Sequence, residues 1–201
     1  NVMKYFIFGL LAIILLSGCG KREVSKDTTL GNLRKQAFEE FVAFPYKEKS
    51  ELKDSIKNIV LEYIKTNNIQ ADLFKLNNFT NCVMYNIWEK NPNQTLVLPL
   101  QVCTNEINNG ELDKINYEDP SWILGQFDTV SGEHYLASKY IKDNLNDPKS
   151  YDFVDASYNI LQNGSQVLIT TEYIAKNLLG GNTRNKTAIL FSNRGEILAV
   201  Y

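Results

Sequence analysis

The chain of 201 residues contains one histidine, His134, which leaves little room for zinc sites or histidine-based catalytic triads. Charge of a single sign is missing as well. The 21 lysines and arginines stand against 23 aspartates and glutamates, and a net charge of −2 gives no broad basic field to hold a nucleic-acid backbone. No internal repeat and no low-complexity tract occurs, and neither a glycine-rich phosphate loop nor a nucleophile elbow is found. The remaining composition, 44% hydrophobic and 22% charged, excludes disorder and collagen-like architecture. It suits one substantial domain or two small ones.

The N-terminus carries the strongest motif. Met3 reads as the start, with Asn1 and Val2 upstream, and Lys4 then forms a short positive region ahead of the apolar run Tyr5 to Leu16. That run falls short of the roughly 20 residues needed to span a bilayer. It ends in Leu16-Ser17-Gly18-Cys19, which resembles the lipobox of bacterial lipoproteins. The resemblance implies that residues 1–18 are a signal peptide, that the Cys19 thiol takes a diacylglyceryl group, and that cleavage falls between Gly18 and Cys19. Residues 19–28 then form a polar lipidated tether. The membrane is thereby an expected partner through acyl chains on Cys19, and at about 0.8 kcal/mol per buried methylene two or three chains make attachment effectively permanent. Gly20 and the basic pair Lys21-Arg22 lack the acidic cluster that resembles a surface-export signal, which favours the periplasmic side of the cell envelope.

Cys82 and Cys103 remain once Cys19 is lipidated, and an oxidising compartment favours pairing them. In the chain-entropy picture such a bridge stabilises the fold by about 3 kcal/mol. A cysteine nucleophile would need a base, and His134 lies far along the chain.

Periodicity predicts a helical domain over 29–110. Leu30, Leu33, Ala37, Phe38 and Phe41 recur at helical spacing until Phe44-Pro45 stops them. Ser50 caps a second helix with the stripe Leu52, Ile56, Ile59, Val60, Tyr63 and Ile64. Leu73 to Glu89 forms a third. The segment from Thr95 to Asn108 fits either a strand or a helix opening on Pro99; a helix is chosen because a hairpin of helices brings Cys82 to Cys103.

Residues 111–121 are polar and turn-rich and read as a linker to an α+β domain over 122–201. There a helix runs from about Gly132 to Asn146, capped by Ser131, and Asp147-Pro148 stops it. Period-two alternation follows, with Val154, Ala156, Tyr158 and Ile160 on one face of a strand and Asp155, Ser157 and Asn159 on the other. Asn163-Gly164 signals a type I′ hairpin. Strands over Gln166 to Lys176, Lys186 to Ser192, and from Gly195 to Tyr201 complete a four-stranded antiparallel meander. Leu168, Ile174, Leu190, Leu198 and Val200 are expected on the face away from the helix. The fold class is therefore α+β, a helical half followed by one helix and a meander, cystatin-like in outline.

The stretch Lys142 to Tyr151, with Asn146, Asp147, Pro148, Ser150 and Tyr151, resembles a motif of uncharacterised envelope and phage-associated proteins common in Bacteroidota, many of them lipoproteins. In those a helix ends in a Leu-x-Asp-Pro-x-Ser element that leads into a small sheet, and a glycine pair like Gly180-Gly181 follows the second strand. Relatives carry an arginine and a phenylalanine before that pair, where this chain has Lys176-Asn177-Leu178-Leu179. The resemblance implies a fold and an envelope setting and supplies no catalytic residues. Physically, Asp147-Pro148 and Ser150 end a helix and turn the chain, and the glycines permit a bend.

Other chemistry is thin. A calcium loop starting at Asp143 fails, because Leu145 and Pro148 take its third and sixth positions. The S-x-x-K match at Ser50 to Lys53, followed by Ser157-Tyr158-Asn159 and Lys186-Thr187-Ala188, lacks the last motif's glycine. Asp152 and Asp155, three apart, are expected on opposite faces of a strand, and Glu39-Glu40 and Glu118-Asp119 in solvent. His134 reads as an exposed polar residue, while Trp88 and Trp122 read as packing anchors, Trp122 with access to a ligand if exposed. No cofactor and no metal set is expected, nor a nucleic-acid partner. The sequence reads as a non-enzymatic envelope binding module with an unidentified protein partner. An inhibitory or phage-exclusion lipoprotein is the alternative, ahead of an envelope hydrolase.

Overall fold

The structure, a computed structural model, describes residues 23–43 and 50–201. The expected signal peptide, Gly18 and Cys19 lie outside the described residues. Among the described residues six α-helices precede the sheet, the first five being α1 (Leu30–Ala43), α2 (Glu51–Thr66), α3 (Leu73–Glu89), α4 (Val97–Asn108) and the single turn α5 (Ser121–Leu124). No described helix is long and apolar enough to cross a membrane.

Local chemistry explains the helix boundaries. Ser50 Oγ accepts from Lys53 N at 3.1 Å, and Asp72 accepts from Lys75 N at 2.8 Å, each filling one orphan donor of a first helical turn. Glu40, expected in solvent, instead accepts from Ser50 Oγ and Leu52 N, so α1 helps to cap α2. Arg34 of α1 reaches the opposite kind of end. Its guanidinium donates to the carbonyls of Ile87, Trp88 and Lys90, which the last turn of α3 leaves unbonded, and it sits 5.6 Å over the Trp88 ring.

Residues 111–121, read as a linker, form a strap packed along α3. Leu112 and Tyr117 are buried. Asn78 donates to Leu112 O and Ile115 O and accepts from Tyr117 N, Asn81 donates to Tyr117 O, and Tyr117 Oη donates to Glu106 at 3.0 Å. One continuous cluster of buried apolar side chains then runs from Leu30 through Leu112 and Ile123 to Phe191, so helices and sheet share a core.

The second half opens with α5 and continues with α6 (Tyr135–Asn144), the short turn Pro148–Ser150, and strands β1 (Asp152–Leu161), β2 (Gln166–Lys176), β3 (Asn182–Ser192) and β4 (Ile197–Val200). The sheet is an antiparallel meander in the order β1-β2-β3-β4, as the alternation and turn signals predict. Four local expectations are corrected. First, α6 starts three residues later than Gly132, and its cap is His134, whose Nδ1 accepts from Ala137 N at 3.2 Å; Ser131 instead accepts from Glu133 N. Second, the β1–β2 connection is no two-residue type I′ turn. Leu161 pairs with Gln166, and Gln162, Asn163 and Gly164 all take positive φ. Glycine is required at 164, since a Cβ there would lie 2.1 Å from Glu118 O.

Third, a bulge between Phe153 and Asp155 puts Phe153 opposite Tyr173 and makes Val154 the extra residue. Asp152 opposes Ile174 and Asp155 opposes Glu172, so both acids share one face instead of facing opposite ways. Fourth, a register shift in β4 pairs Val200 with Ile189 on the inner face, and Leu198 is the unpaired residue of that shift.

Candidate binding surfaces

The cysteines are brought together between α3 and α4: their sulfurs lie 2.09 Å apart, a disulfide separation, with Cα atoms 6.1 Å apart. Both are fully buried.

The motif after α6 adjoins the β2–β3 turn. Ser150 Oγ donates to Asp147 O and accepts from Lys176 N at 3.0 Å, while Asp147 lies 4.0 Å from Lys176 Nζ. Tyr151 stacks on Tyr173 and bonds Ser138 Oγ, with Lys142 Nζ over its ring. Pro148 forms the short turn and Asn146 is exposed. Gly180 and Gly181 close the turn that Lys176 opens. Asn177 Oδ1 accepts from Leu179 N and Gly181 N, Asn177 N donates to Gly181 O, and Gly180 N donates to Asn177 O. These bonds hold Leu178 and Leu179 outward, 85% and 94% exposed. Among the other described residues a large apolar side chain that bare is found only at Val130.

The sheet has two unlike faces. Val167, Ile169, Tyr173, Ala175, Ile189 and Phe191 are buried against the helices. The opposite face carries Leu168, Ile174 and Leu190, all half-buried, beside an ionic patch in which Glu172 meets Arg184 at 2.7 Å and Lys186 at 3.8 Å. Arg184 and Lys186 hold the Glu172 carboxyl below its ordinary range. Among the described residues the helical half thus covers one face and leaves the other open.

A cleft of about 620 Å³ runs from Tyr85, Trp88 and Glu89 at the end of α3 across the edge of β1, where Tyr158 and Ile160 line it, to Leu168. Tyr158 Oη donates to Trp88 O, and the two rings meet edge-on at 6.4 Å. Burial pushes the Tyr158 phenol up, opposed by the neighbouring Arg34 guanidinium. A second cleft of about 560 Å³ opens between α1 and α6, walled by Phe38, Phe41, Val42 and Tyr135, with Lys142 paired to Glu133 and Lys139 to Asp143.

Trp122 packs edge-on to Phe41 and beside Gly195, where a Cβ would lie 2.3 Å from its ring. Trp88 is buried and donates to Ser121 Oγ. His134, expected to be exposed, is fully buried between Phe127 and Phe191. Its Nε2 bonds Ile123 O at 2.9 Å, and burial pulls its pKa down to about 4. The S-x-x-K residues do not assemble with the later motifs: Ser50 is engaged with Glu40, Lys53 pairs with Asp119 at 3.1 Å, and Lys186 faces Glu172. Among the described residues no group of three His, Cys, Asp or Glu is placed to hold a metal. Comparison of the chain with protein-family models, with curated proteins and with solved structures gives no match in any of the three.

Proposed function

We propose that this is a lipid-anchored protein of the bacterial cell envelope, held by acyl chains on Cys19 and facing the periplasm, which works by binding another protein through its C-terminal sheet. The observation that carries the binding reading is the uncovered sheet face with Leu168, Ile174 and Leu190, together with the built turn that presents Leu178 and Leu179 to solvent. Burying two leucine side chains contributes about 3–6 kcal/mol to an association, before the costs of ordering, so a turn of this kind suits a contact site. In the α1–α6 cleft Lys142 pairs with Glu133 and Lys139 with Asp143, while Asp128 accepts from the backbone of Val130 and Ser131, an arrangement that suits a wall more than a reacting centre. The anchor rests on the Leu16-Ser17-Gly18-Cys19 sequence.

Two measurements test the proposal. Mass spectrometry of the membrane-extracted protein is expected to find an acylated Cys19 at the N-terminus, and Cys19→Ser is expected to retain the Lys4 peptide. An unmodified Lys4 peptide in the mature wild-type protein would end the lipoprotein claim. Cross-linking in native membranes is expected to give a discrete adduct that falls at least tenfold in the double variant Leu178→Ser, Leu179→Ser. An adduct pattern identical in the two proteins counts against this surface.

A further inference from the structure

β1 is, among the described residues, an edge strand of ten residues, paired only with β2. Among the described residues no other backbone or side chain bonds the main-chain groups of 152–161 outside that ladder. An edge left open over such a length is a template for one more strand, and proteins ordinarily shorten, cover or charge it. Here the charge is confined to one end and has one sign. The bulge places Asp152 and Asp155 together on the outer face, both exposed, and neither has a basic side chain within ion-pair distance among the described residues. At the other end the cleft lined by Tyr85, Trp88 and Tyr158 lies across the edge, from the inner-face side chains of Tyr158 and Ile160 to Leu168 on the outer face.

Resting on the binding reading above, we infer that the free edge of β1 takes up an extended basic peptide segment as a fifth strand, with a large apolar side chain entering the Tyr85–Trp88–Tyr158 cleft. Strand alternation fixes the recognition pattern. Residues of the added strand on the outer face meet Asp155 and Asp152 and are lysine or arginine. Those on the inner face meet Tyr158 and Ile160 and are apolar. Main-chain bonds to the edge supply affinity, and the two faces supply selectivity. A second copy of β1 is a poorer occupant, because it brings its own pair of aspartates and no base.

The test uses the full lipid-anchored protein in detergent micelles and a capped, fluorescent octapeptide, Thr-Phe-Thr-Val-Lys-Val-Lys-Thr. Its two lysines and its phenylalanine fall on opposite faces. Saturable binding is expected, with hydrogen-exchange protection of the amides between Asp155 and Ile160. Methylating alternate peptide nitrogens on the bonding side is expected to weaken binding at least tenfold, because the ladder loses its donors. The double variant Asp152→Asn, Asp155→Asn is expected to weaken it severalfold and to flatten its salt dependence. No binding, binding indifferent to N-methylation, or protection of β1 by self-association in the absence of peptide would each overturn the inference. Failure here, with a membrane cross-link that still requires Leu178 and Leu179, removes the edge site and leaves the binding function standing. Peptide binding without any cross-linked partner supports the edge site and tells against the wider reading.

Discussion

Reduction of the Cys82–Cys103 bridge is expected to lower the stability of the folded chain by about 3 kcal/mol, since it closes a loop with a sequence separation of 21 residues. Burial adds to the effect. Both sulfurs lie in the shared core beside the Asn86 side chain, with Nδ2 to Sγ distances of 3.6 and 3.7 Å, so two separated thiols must be fitted where one bond lay. Urea unfolding with and without a strong reductant measures it. The midpoint is expected to drop by more than one molar if the slope is near 2 kcal/mol per molar. The double variant Cys82→Ala, Cys103→Ala is expected to match the reduced protein to within about 1 kcal/mol. An unchanged midpoint under reductant would show that the bridge does not constrain the unfolded chain.

Acidification is expected to have a comparable effect, through one residue. His134 is neutral in the folded protein, with Nδ1 accepting from Ala137 N and Nε2 donating to Ile123 O; a proton on Nδ1 would oppose a donor to a donor. The folded pKa is near 4 against the ordinary 6.5, so the unfolded chain takes the proton first. The contribution of His134 is complete above about pH 6.5 and is lost as the pH falls towards 4, some 3 kcal/mol in all. The variant His134→Asn keeps an acceptor that can cap α6 and has no proton to bind. Its stability is expected to be lower than wild type at pH 7 and to change less between pH 6.5 and 4. Parallel curves for the two proteins across that window would refute the assignment. Glu172 is shifted in the sense usual for a paired carboxylate, held below its ordinary range by its hydrogen bond to Arg184.

Much of this architecture is legible in residue order because the signals are local and agree with one another. Ser50, the stripe from Leu52 to Ile64, and the run from Leu73 to Glu89 specify their helices through caps and periodicity alone. The meander follows from alternation and turn residues. Reading fails where a distant segment decides. Asn78 and Asn81 look like ordinary polar positions of a helix, and only their bonds to residues 112–117 reveal the strap. His134 caps α6 because Phe127 and Phe191, one of them 57 positions away in sequence, enclose it. The bulge at Val154 has no marker such as glycine, yet it reverses the facing of Asp152 and so creates the acidic end of the edge strand. The aromatic cleft joins residues of α3 to residues of β1, a pairing that periodicity within either element cannot express.

The first turn of α1 also determines how the molecule bears load. Tension arriving along the chain ahead of Leu30 meets Leu30 N bonded to Gln94 O, Gly31 N bonded to Pro92 O, and Leu96 N bonded to Thr28 O, an antiparallel clasp around the Thr29–Thr95 bridge. Bonds of such a clasp lie across the pulling direction, so they are strained together instead of being opened one by one. Behind them Arg34 grips three carbonyls at the end of α3, which passes the force into the Trp88 region of the core. A tug on the N-terminus is thus shared by several elements before any helix can peel away. Traction at the C-terminus meets the short strand β4 and Tyr201, which exchanges two main-chain bonds with Ala188 of β3, and that end should give way at lower force.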